Sequence, residues 1–358
     1  MNKIFFTVGP SQLYPTTKKH ITSALTHDIP SANHRGKDFH TIYTHTHAML
    51  RKLLNIPDTH HVFFLSSAHE SMERVLRSTV DKHSFHFITG AFSKIFYNYA
   101  HDYGKHPEKA EDLHGKGFAM KSIQIPAETE LICITQNETS TGISIPMEEI
   151  YLLKKRYPKM LLAIDVVSSV PYVSIDFSQI DITFFSVQKG FGLPAGLAVL
   201  IINDAALKKA KVLSEKTGSK GGHHGILTLH ADTLRKQTTE TPNVMNIYLL
   251  GKIAEDMVNK GVEKIRKETE KKAELIYKFF DNHPAYKPSI NGLYRSKTTI
   301  VIDTKGQTEE ILNKAKKQGI VIGPGYGDKA KKQMRISNFP AHKISQVKQL
   351  LQILKSSS

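Results

Sequence analysis

The segment Leu161–Gly190 reads LLAIDVVSSVPYVSIDFSQIDITFFSVQKG and contains two short apolar runs, Leu161–Asp165 and Ile182–Ser186. Runs of this length and composition are typical of strands that are buried on both faces of a parallel sheet. One run ends in an acid, Asp165, and the other is followed three residues later by Lys189. Parallel strands present their carboxyl ends at one edge of a sheet, where such proteins bind ligands. The segment therefore predicts an α/β fold with an acid and an amine at one ligand site.

Strand-like and helix-like stretches alternate on both sides of this segment. Four more apolar runs predict strands, namely His61–Leu65, Phe85–Thr89, Leu131–Thr135 and Leu197–Ile202. Amphipathic stretches predict helices at His40–Leu54, Glu70–Val80, Phe92–Tyr103 and Met147–Tyr157. This alternation predicts a mostly parallel sheet flanked by helices. Too few residues for a helical crossover separate Ile182–Ser186 from Leu197–Ile202, so we expect that pair to be antiparallel.

The pattern changes from about Asn243 and predicts a second, smaller α+β domain. A long helical stretch over 244–280 is followed by shorter elements: strands at Thr299–Ile302, Ile320–Ile322 and Met334–Ser337, and helices at Thr308–Gln318 and Ile344–Leu354. We therefore predict a large α/β domain over residues 1–243 and a smaller one over residues 244–358. Segment 1–15 is expected to pack on the smaller domain, and the tail 355–358 to fray.

The composition is that of a globular chain with an excess of positive charge. The 358 residues include 49 Lys and Arg against 33 Asp and Glu, a net charge of +16. Such a charge suits anionic partners, but the lysines of 260–278 and 309–317 alternate with glutamates as on a solvated helix face. No apolar run approaches the roughly 20 residues of a membrane helix. We predict a cytoplasmic protein without nucleic-acid or membrane partners.

Cysteine and histidine usage gives no sign of a metal centre. The one cysteine, Cys133, lies in an apolar run and is expected to be a small buried hydrophobe. The 19 histidines scatter, with pairs at His45/His47, His60/His61 and His223/His224, and form no HExxH motif. The sequence therefore predicts no metal site.

Asp165 and Lys189 together match one cofactor. A buried carboxylate needs a positive partner, although Asp165 could instead cap the turn before Ser168. A desolvated lysine has a lowered pKa that suits Schiff-base chemistry, although Lys189 alone could be a surface residue of a hairpin loop. Pyridoxal phosphate has both a cationic ring nitrogen and an aldehyde, so we predict it as the cofactor.

A third candidate element is the turn Ser66-Ser67-Ala68-His69, which follows a predicted strand and opens a predicted helix. Free backbone N–H groups at a helix start bind phosphate. The two serines could also be ordinary helix caps. The turn is thus a candidate binding site for the cofactor phosphate.

These residues resemble the class V aminotransferases of fold type I, and most of all the group that acts on phosphoserine. The resemblance runs along nearly the whole chain, in order, through Phe6–Pro10, His34–Phe39, Ser67–Met72, Gly90–Phe92, Asn137–Thr139, Asp165, Gln188-Lys189, Thr241-Pro242 and Met334-Arg335. It implies a fold type I pyridoxal-phosphate transferase with a seven-stranded sheet. It also implies a homodimer with shared active sites, acting on an amino acid and a keto acid.

The resemblance implies a role for each matching residue. Lys189 would bind the cofactor as a Schiff base and move a proton, and Asp165 would pair with the ring nitrogen. For the cofactor, Phe92 would stack on the ring, Thr139 would donate a hydrogen bond to the phenolic oxygen, and the phosphate would be bound by Ala68, His69 and Gln188 and by Thr241 of the neighbouring subunit. For the substrate, Arg335 would bind the carboxylate, and His34 and Arg35 would bind the phosphate. Phe92 as a core aromatic and Thr139 as a loop cap remain open alternatives.

Three departures from the family pattern affect the expected substrate. Ala68-His69 stands where the family has Gly-Arg, a stretch containing Asp328 replaces a second His-Arg pair, and Glu240 replaces an asparagine. We expect amino transfer between glutamate and 3-phosphohydroxypyruvate. The first alternative is an unphosphorylated pair such as alanine or serine with glyoxylate. A more distant alternative is a catalytically inactive, basic nucleic-acid-binding relative.

Overall fold

The computed structural model describes residues 3–355 and contains two β-sheets. The strands, in chain order, are β1 (Ile4–Phe6), β2 (His60–Leu65), β3 (Ser84–Ile88), β4 (Pro107–Glu111), β5 (Leu131–Thr135), β6 (Leu161–Asp165), β7 (Ile182–Ser186), β8 (Ala198–Asn203), β9 (Lys287–Pro288), β10 (Thr299–Asp303), β11 (Ile320–Pro324) and β12 (Gln333–Ser337). The helices are α1 (Thr17–Thr26), α2 (Lys37–Leu54), α3 (Ala68–Thr79), α4 (Ala91–Asp102), α5 (Met147–Arg156), α6 (Asp204–Thr217), α7 (Ile226–Leu234), α8 (Val244–Lys260), α9 (Val262–Asp281), α10 (Thr308–Lys317) and α11 (Ile344–Lys355). None of these helices is long and apolar enough to cross a membrane.

The larger sheet has seven strands in the order β2-β8-β7-β6-β5-β3-β4. Only β8 runs antiparallel to its neighbours, β2 and β7, so the predicted antiparallel pair and the mostly parallel sheet are both confirmed. Every residue of β5, β6 and β7 is buried, which explains why these strands are continuous apolar runs. In this register Asp165 at the end of β6 lies between Thr135 of β5 and Phe184 of β7.

The smaller sheet has the order β1-β11-β12-β10-β9 and its own hydrophobic core. Strand β1 pairs in parallel with β11, with Ile4 opposite Ile320, and Phe6 lies in this second core. The N-terminal strand thus belongs to the sheet formed by the C-terminal part of the chain. Of the tail 355–358, for which fraying is predicted, Lys355 is the last residue of α11 and residues 356–358 lie outside the described residues.

The long helical stretch predicted over 244–280 is two helices that meet at Gly261. Its φ of 88° is a left-handed conformation that glycine adopts without strain. Helix α8 contributes to the larger core and packs against α2, where a Cβ at Gly251 would lie 2.4 Å from Thr46 Oγ1. Helix α9 contributes Ile276 and Phe280 to the smaller core. The domain boundary after residue 243 remains a prediction.

Candidate active site

A cavity of about 250 Å³ lies at the carboxyl edge of the larger sheet. Eight of the predicted site residues line it: Ala68, His69, Phe92, Thr139, Asp165, Gln188, Lys189 and Arg335. Most of them follow the carboxyl ends of β2, β3, β5, β6 and β7, while Arg335 comes from β12 of the smaller sheet. The fold therefore brings residues that are far apart in the sequence to one edge, as open α/β sheets do.

Lys189 is only 7% exposed, and its amine is held by two hydroxyls. Nζ donates hydrogen bonds to Thr139 Oγ1 at 2.8 Å and to Ser168 Oγ at 2.9 Å. Burial lowers the pKa of Lys189, and the nearby Asp165 carboxylate acts in the opposite direction. The chain passes close to the side chain, because a Cβ at Gly9 would lie 2.8 Å from Lys189 Cε. The site thus holds a desolvated amine, the form that attacks carbonyl groups.

Asp165 is buried at the end of β6 and faces the same cavity as Lys189. Burial raises the pKa of its carboxyl group, while the hydrogen bond from Val167 N at 2.9 Å and the charge of Lys189 lower it. A buried carboxylate of this kind stabilises a cation that is placed beside it. This is the property that a protonated ring nitrogen requires of its partner.

The start of α4 is fixed by Glu138, a fully buried acid whose role the sequence did not indicate. Its carboxylate accepts hydrogen bonds from the backbone N–H groups of Phe92, Ser93 and Ser140 and from both serine hydroxyls. A Cβ at Gly90 would lie 2.4 Å from Ser140 Oγ, so glycine is needed for this close approach. Phe92 is thereby positioned with its ring centroid 5.3 Å from Lys189 Nζ.

The turn before α3 has the features of an anion site. Ser67 caps the helix by accepting a hydrogen bond from Glu70 N at 3.1 Å, and Ala68 N donates to Ser186 Oγ at 2.9 Å. His69 Nδ1 lies 2.8 Å from the hydroxyl of Tyr99. Gln188 Oε1 is buried without a hydrogen-bond partner in the described part of the chain. The N–H groups at the start of α3 can donate to an anion, whereas Gln188 Oε1 is an acceptor that a bound donor group would satisfy.

Arg335 lines the cavity from the smaller sheet and is half-buried. Its Nε donates to Pro324 O at 2.8 Å, and it forms no ion pair with a carboxylate within residues 3–355. Tyr326, which sequence reasoning did not single out, has its ring centroid 5.4 Å from this guanidinium and 5.4 Å from the ring of Phe92. A guanidinium without an acidic partner is suited to binding a substrate carboxylate.

The family model described as "Aminotransferase class-V" matches residues 5–350. The chain belongs to the class V aminotransferase family. This confirms the predicted family, the aminotransferase activity and the fold type, and it supports pyridoxal phosphate as the cofactor.

Comparison with individual proteins gives relatives along almost the whole length of this aminotransferase. A crystal structure of a phosphoserine aminotransferase from Cytophaga hutchinsonii is 44% identical, covers 99% of both chains and has a TM-score of 0.97. The phosphoserine aminotransferase of Bacillus cereus strain ATCC 14579 is 26% identical, with 99% of this chain and 98% of that protein covered. An aspartate aminotransferase of Thermus thermophilus has a TM-score of 0.84 and covers 99% and 98% of the two chains, but at 18% identity this likeness shows the fold alone.

Three predicted site residues of the aminotransferase do not line the cavity of their own chain. Thr241 Oγ1 lies 3.5 Å from His34 Nδ1, and Thr241 lines a separate cavity of about 70 Å³. His34 is buried with Nε2 unpaired in the structure described, whereas its neighbour Arg35 is exposed. The structure thus brings His34 and Thr241 together, but away from Lys189 of the same chain.

A row of three interacting side chains, Glu70, His224 and Glu240, lies beside Thr241. His224 contacts Glu70 through Nδ1 and lies 3.2 Å from Glu240 through Nε2. Burial would raise the pKa of Glu70, but hydrogen bonds from His224 and Ser66 outweigh it and lower the pKa to about 2. His223, His224 and Glu240 also offer ligand atoms within 4.8 Å of one another, the one such group of three among residues 3–355. The predicted lack of a metal remains a prediction.

Proposed function

We propose that this aminotransferase exchanges an amino group between phosphoserine and 2-oxoglutarate, giving 3-phosphohydroxypyruvate and glutamate, in both directions. The observation that carries the reaction type is the burial of Lys189 and Asp165 in one cavity. The 44% identity to the phosphoserine aminotransferase of Cytophaga hutchinsonii supports the substrate.

The residues of the cavity fit pyridoxal phosphate. When bound, this cofactor supplies an aldehyde that accepts the amino group and a ring that withdraws electrons. Asp165 would hold the ring nitrogen, Phe92 would cover one ring face and Thr139 would donate to the phenolic oxygen. The phosphate would lie against the N-terminus of α3, near Ala68, His69 and Gln188.

Lys189 is proposed as the catalytic base and as the covalent attachment point. Because its pKa is lowered, the neutral amine would take the proton from the substrate Cα and would deliver it to the carbon on the other side of the amino nitrogen. Thr139 and Ser168 hold Nζ in place at 2.8 and 2.9 Å. Arg335 would orient the substrate by binding its α-carboxylate.

We propose a homodimer in which each cavity is completed by the partner. Thr241 and His34 lie together at 3.5 Å but outside their own cavity, which supports their use at the site of a second chain. His34 and Arg35 would then bind the substrate phosphate, and Thr241 the cofactor phosphate. A cytoplasmic location, and the lack of nucleic-acid and membrane partners, remain predictions.

The test is an absorbance and turnover experiment on the purified protein with pyridoxal phosphate. The visible cofactor band should change on adding glutamate and return on adding 3-phosphohydroxypyruvate, with ping-pong kinetics in the complete reaction. Lys189→Ala should lose turnover, whereas Lys208→Ala, which removes an exposed lysine of α6, should keep it. Wild-type protein that takes up the cofactor but does not turn over the phosphorylated keto acid would reject this substrate.

One observation favours a second candidate, an unphosphorylated substrate pair such as alanine or serine with glyoxylate. The stretch 325–332 carries Asp328 where phosphoserine aminotransferases have a His-Arg pair, and this acid would repel a phosphate. Spectra of the half-reaction with phosphoserine, serine and alanine separate the candidates. A faster change with serine or alanine than with phosphoserine would favour the second one.

A further inference from the structure

His224 forms a bridge between two acids that belong to different parts of the chain. Its Nδ1 contacts Glu70 in the first turn of α3, and its Nε2 lies 3.2 Å from Glu240. The side chains of His224 and Glu70 are 12% and 14% exposed, so solvent screens their interaction weakly. With an acid on each ring nitrogen, both nitrogens are donors, which requires the protonated imidazolium.

Each acid is attached to a segment that the proposed function assigns to cofactor phosphate. Glu70 also accepts hydrogen bonds from the backbone N–H and the hydroxyl of Ser66, at 2.8 and 2.6 Å, and so holds the turn that leads into Ala68. Glu240 directly precedes Thr241, which lies outside the cavity of its own chain. The bridge therefore joins the phosphate turn of one active site to the segment that would serve the partner's site.

Glu240 on its own is unfavourable in this position. A carboxylate next to a residue that binds a phosphate repels that phosphate, and the family arginine that would offset it is absent at Ala68-His69. We propose that His224 is a positioning residue that neutralises Glu240 and fixes the Glu240-Thr241 segment to the turn before α3, so that cofactor phosphate can bind. This inference rests on the proposed cofactor and on the proposed shared site.

The same groups could be considered as a metal site, since His223, His224 and Glu240 lie within metal-binding distance. The contacts of His224 favour the charge role, because a metal on Nε2 would have to displace the proton that both carboxylates stabilise. The charged groups around His224 are Glu70, Glu240 and Arg74, with the ring of His223 stacked at 5.1 Å. The two carboxylates outweigh Arg74 and burial, and they raise the pKa of His224.

The decisive experiment is a double-mutant cycle on the binding of pyridoxal phosphate to the apoenzyme, followed by the rise of the visible band. His224→Gln should raise the Kd about three- to tenfold, because Glu240 is then uncompensated, although its side chain is 53% exposed and solvent screens part of its charge. Glu240→Gln, which removes the repelling charge, should bind at least as tightly as wild type. The double variant should bind more tightly than His224→Gln, because the charge that His224 neutralises is gone, and the loss that remains relative to Glu240→Gln measures the broken link to Glu70. A double variant as weak as His224→Gln would overturn the proposal that His224 neutralises Glu240.

His223→Gln is the matched control, because His223 neighbours His224 in sequence and space but forms no ion pair among residues 3–355. It should bind the cofactor like wild type, and so should protein treated with a chelator; a loss in either case would overturn the charge role in favour of a metal. The ratio of Kd between His224→Gln and wild type should shrink as rising pH deprotonates His224. Thermal unfolding of each apoenzyme checks that the variants fold.

The outcomes separate this inference from the function on which it rests. Wild-type protein that never takes up pyridoxal phosphate would overturn both. Cofactor uptake that is equal in wild type and His224→Gln would overturn the positioning role alone.

Discussion

Replacing Glu138 by alanine should destabilise the protein strongly, although Glu138 does not line the cavity. The carboxylate is completely buried and accepts hydrogen bonds from the backbone N–H groups of Phe92, Ser93 and Ser140. Two of these belong to the first turn of α4, whose N–H groups have no acceptor within the helix. Glu138→Ala removes the common acceptor and leaves three donors unpaired.

The loss of stability in Glu138→Ala depends on which of the hydrogen-bond donors to Glu138 have a second partner. Ser93 Oγ also donates to Gly90 O at 3.1 Å, and Ser140 Oγ still accepts from Ala91 N at 2.9 Å, so the hydroxyls keep a partner. The three backbone N–H groups do not, and each costs about 1 kcal/mol or more, or about 3 kcal/mol together. Glu138→Gln keeps one acceptor oxygen in the same place and should cost about 1 kcal/mol.

Urea unfolding of the two variants and the wild type, at equal protein concentration and without cofactor, measures these differences. Because Phe92 loses its fixed backbone, Glu138→Ala that still folds should also bind pyridoxal phosphate more weakly than Glu138→Gln. A loss below about 1 kcal/mol for Glu138→Ala would contradict the view that this acid organises the start of α4.

Three further predictions concern charged groups. Arg335→Gln should raise the KM for glutamate about a hundredfold, because two charge-assisted hydrogen bonds to the α-carboxylate weaken. Asp165→Asn should abolish most turnover. It should also stabilise the apoenzyme against unfolding at pH values above the ordinary carboxyl pKa, since burial raises the pKa of Asp165 and its ionised form therefore destabilises the folded state. Turnover and unfolding assays measure the two effects. The wild type should be more stable than Glu70→Gln at neutral pH, because the pKa of Glu70 is lowered to about 2 in the folded protein. This difference in the free energy of unfolding should disappear as the pH falls from 4.5 towards about 2, as acid unfolding experiments would measure.

The strands that hold the site could be predicted closely because burial alone determines their composition. β5, β6 and β7 have the bounds that their apolar runs predict, and all of their residues are buried. Asp165 and Lys189 could be recognised for the same reason, because burying a charged group at the end of such a run is costly unless a partner compensates it.

Elements on the surface could not be predicted in this way. Strand β4 has the sequence PEKAE and is an edge strand that pairs only with β3, so its charged residues give no apolar signal. Helix α6 contains four lysines and two acids but only three buried residues, which obscures its periodicity. The break at Gly261 depends on a left-handed backbone conformation within a pattern that otherwise continues as a helix.

Within the site, the residues missed by sequence reasoning act through other residues. Glu138 fixes Phe92, and Ser168 and Ser186 hold Lys189 and the backbone of Ala68. Their partners are between 21 and 118 residues away in the sequence. A short local motif therefore does not show such contacts, even for Glu138, which lies within the matching segment Asn137–Thr139.

The charges that differ from the family pattern also have a different meaning in three dimensions. Taken singly, Glu240 adds repulsion and the Ala68-His69 pair removes an attractive arginine, so both argue against a bound phosphate. In the structure Glu240 is paired with His224, which is paired in turn with Glu70 beside the same turn. The protonated imidazolium of His224 contacts both carboxylates and compensates one of their two negative charges. How strongly Glu240 repels a phosphate therefore depends on whether His224 is protonated. Glu240 therefore does not by itself argue against a phosphorylated substrate. Asp328 is the departure from the family pattern whose repulsion of a phosphate still argues against one.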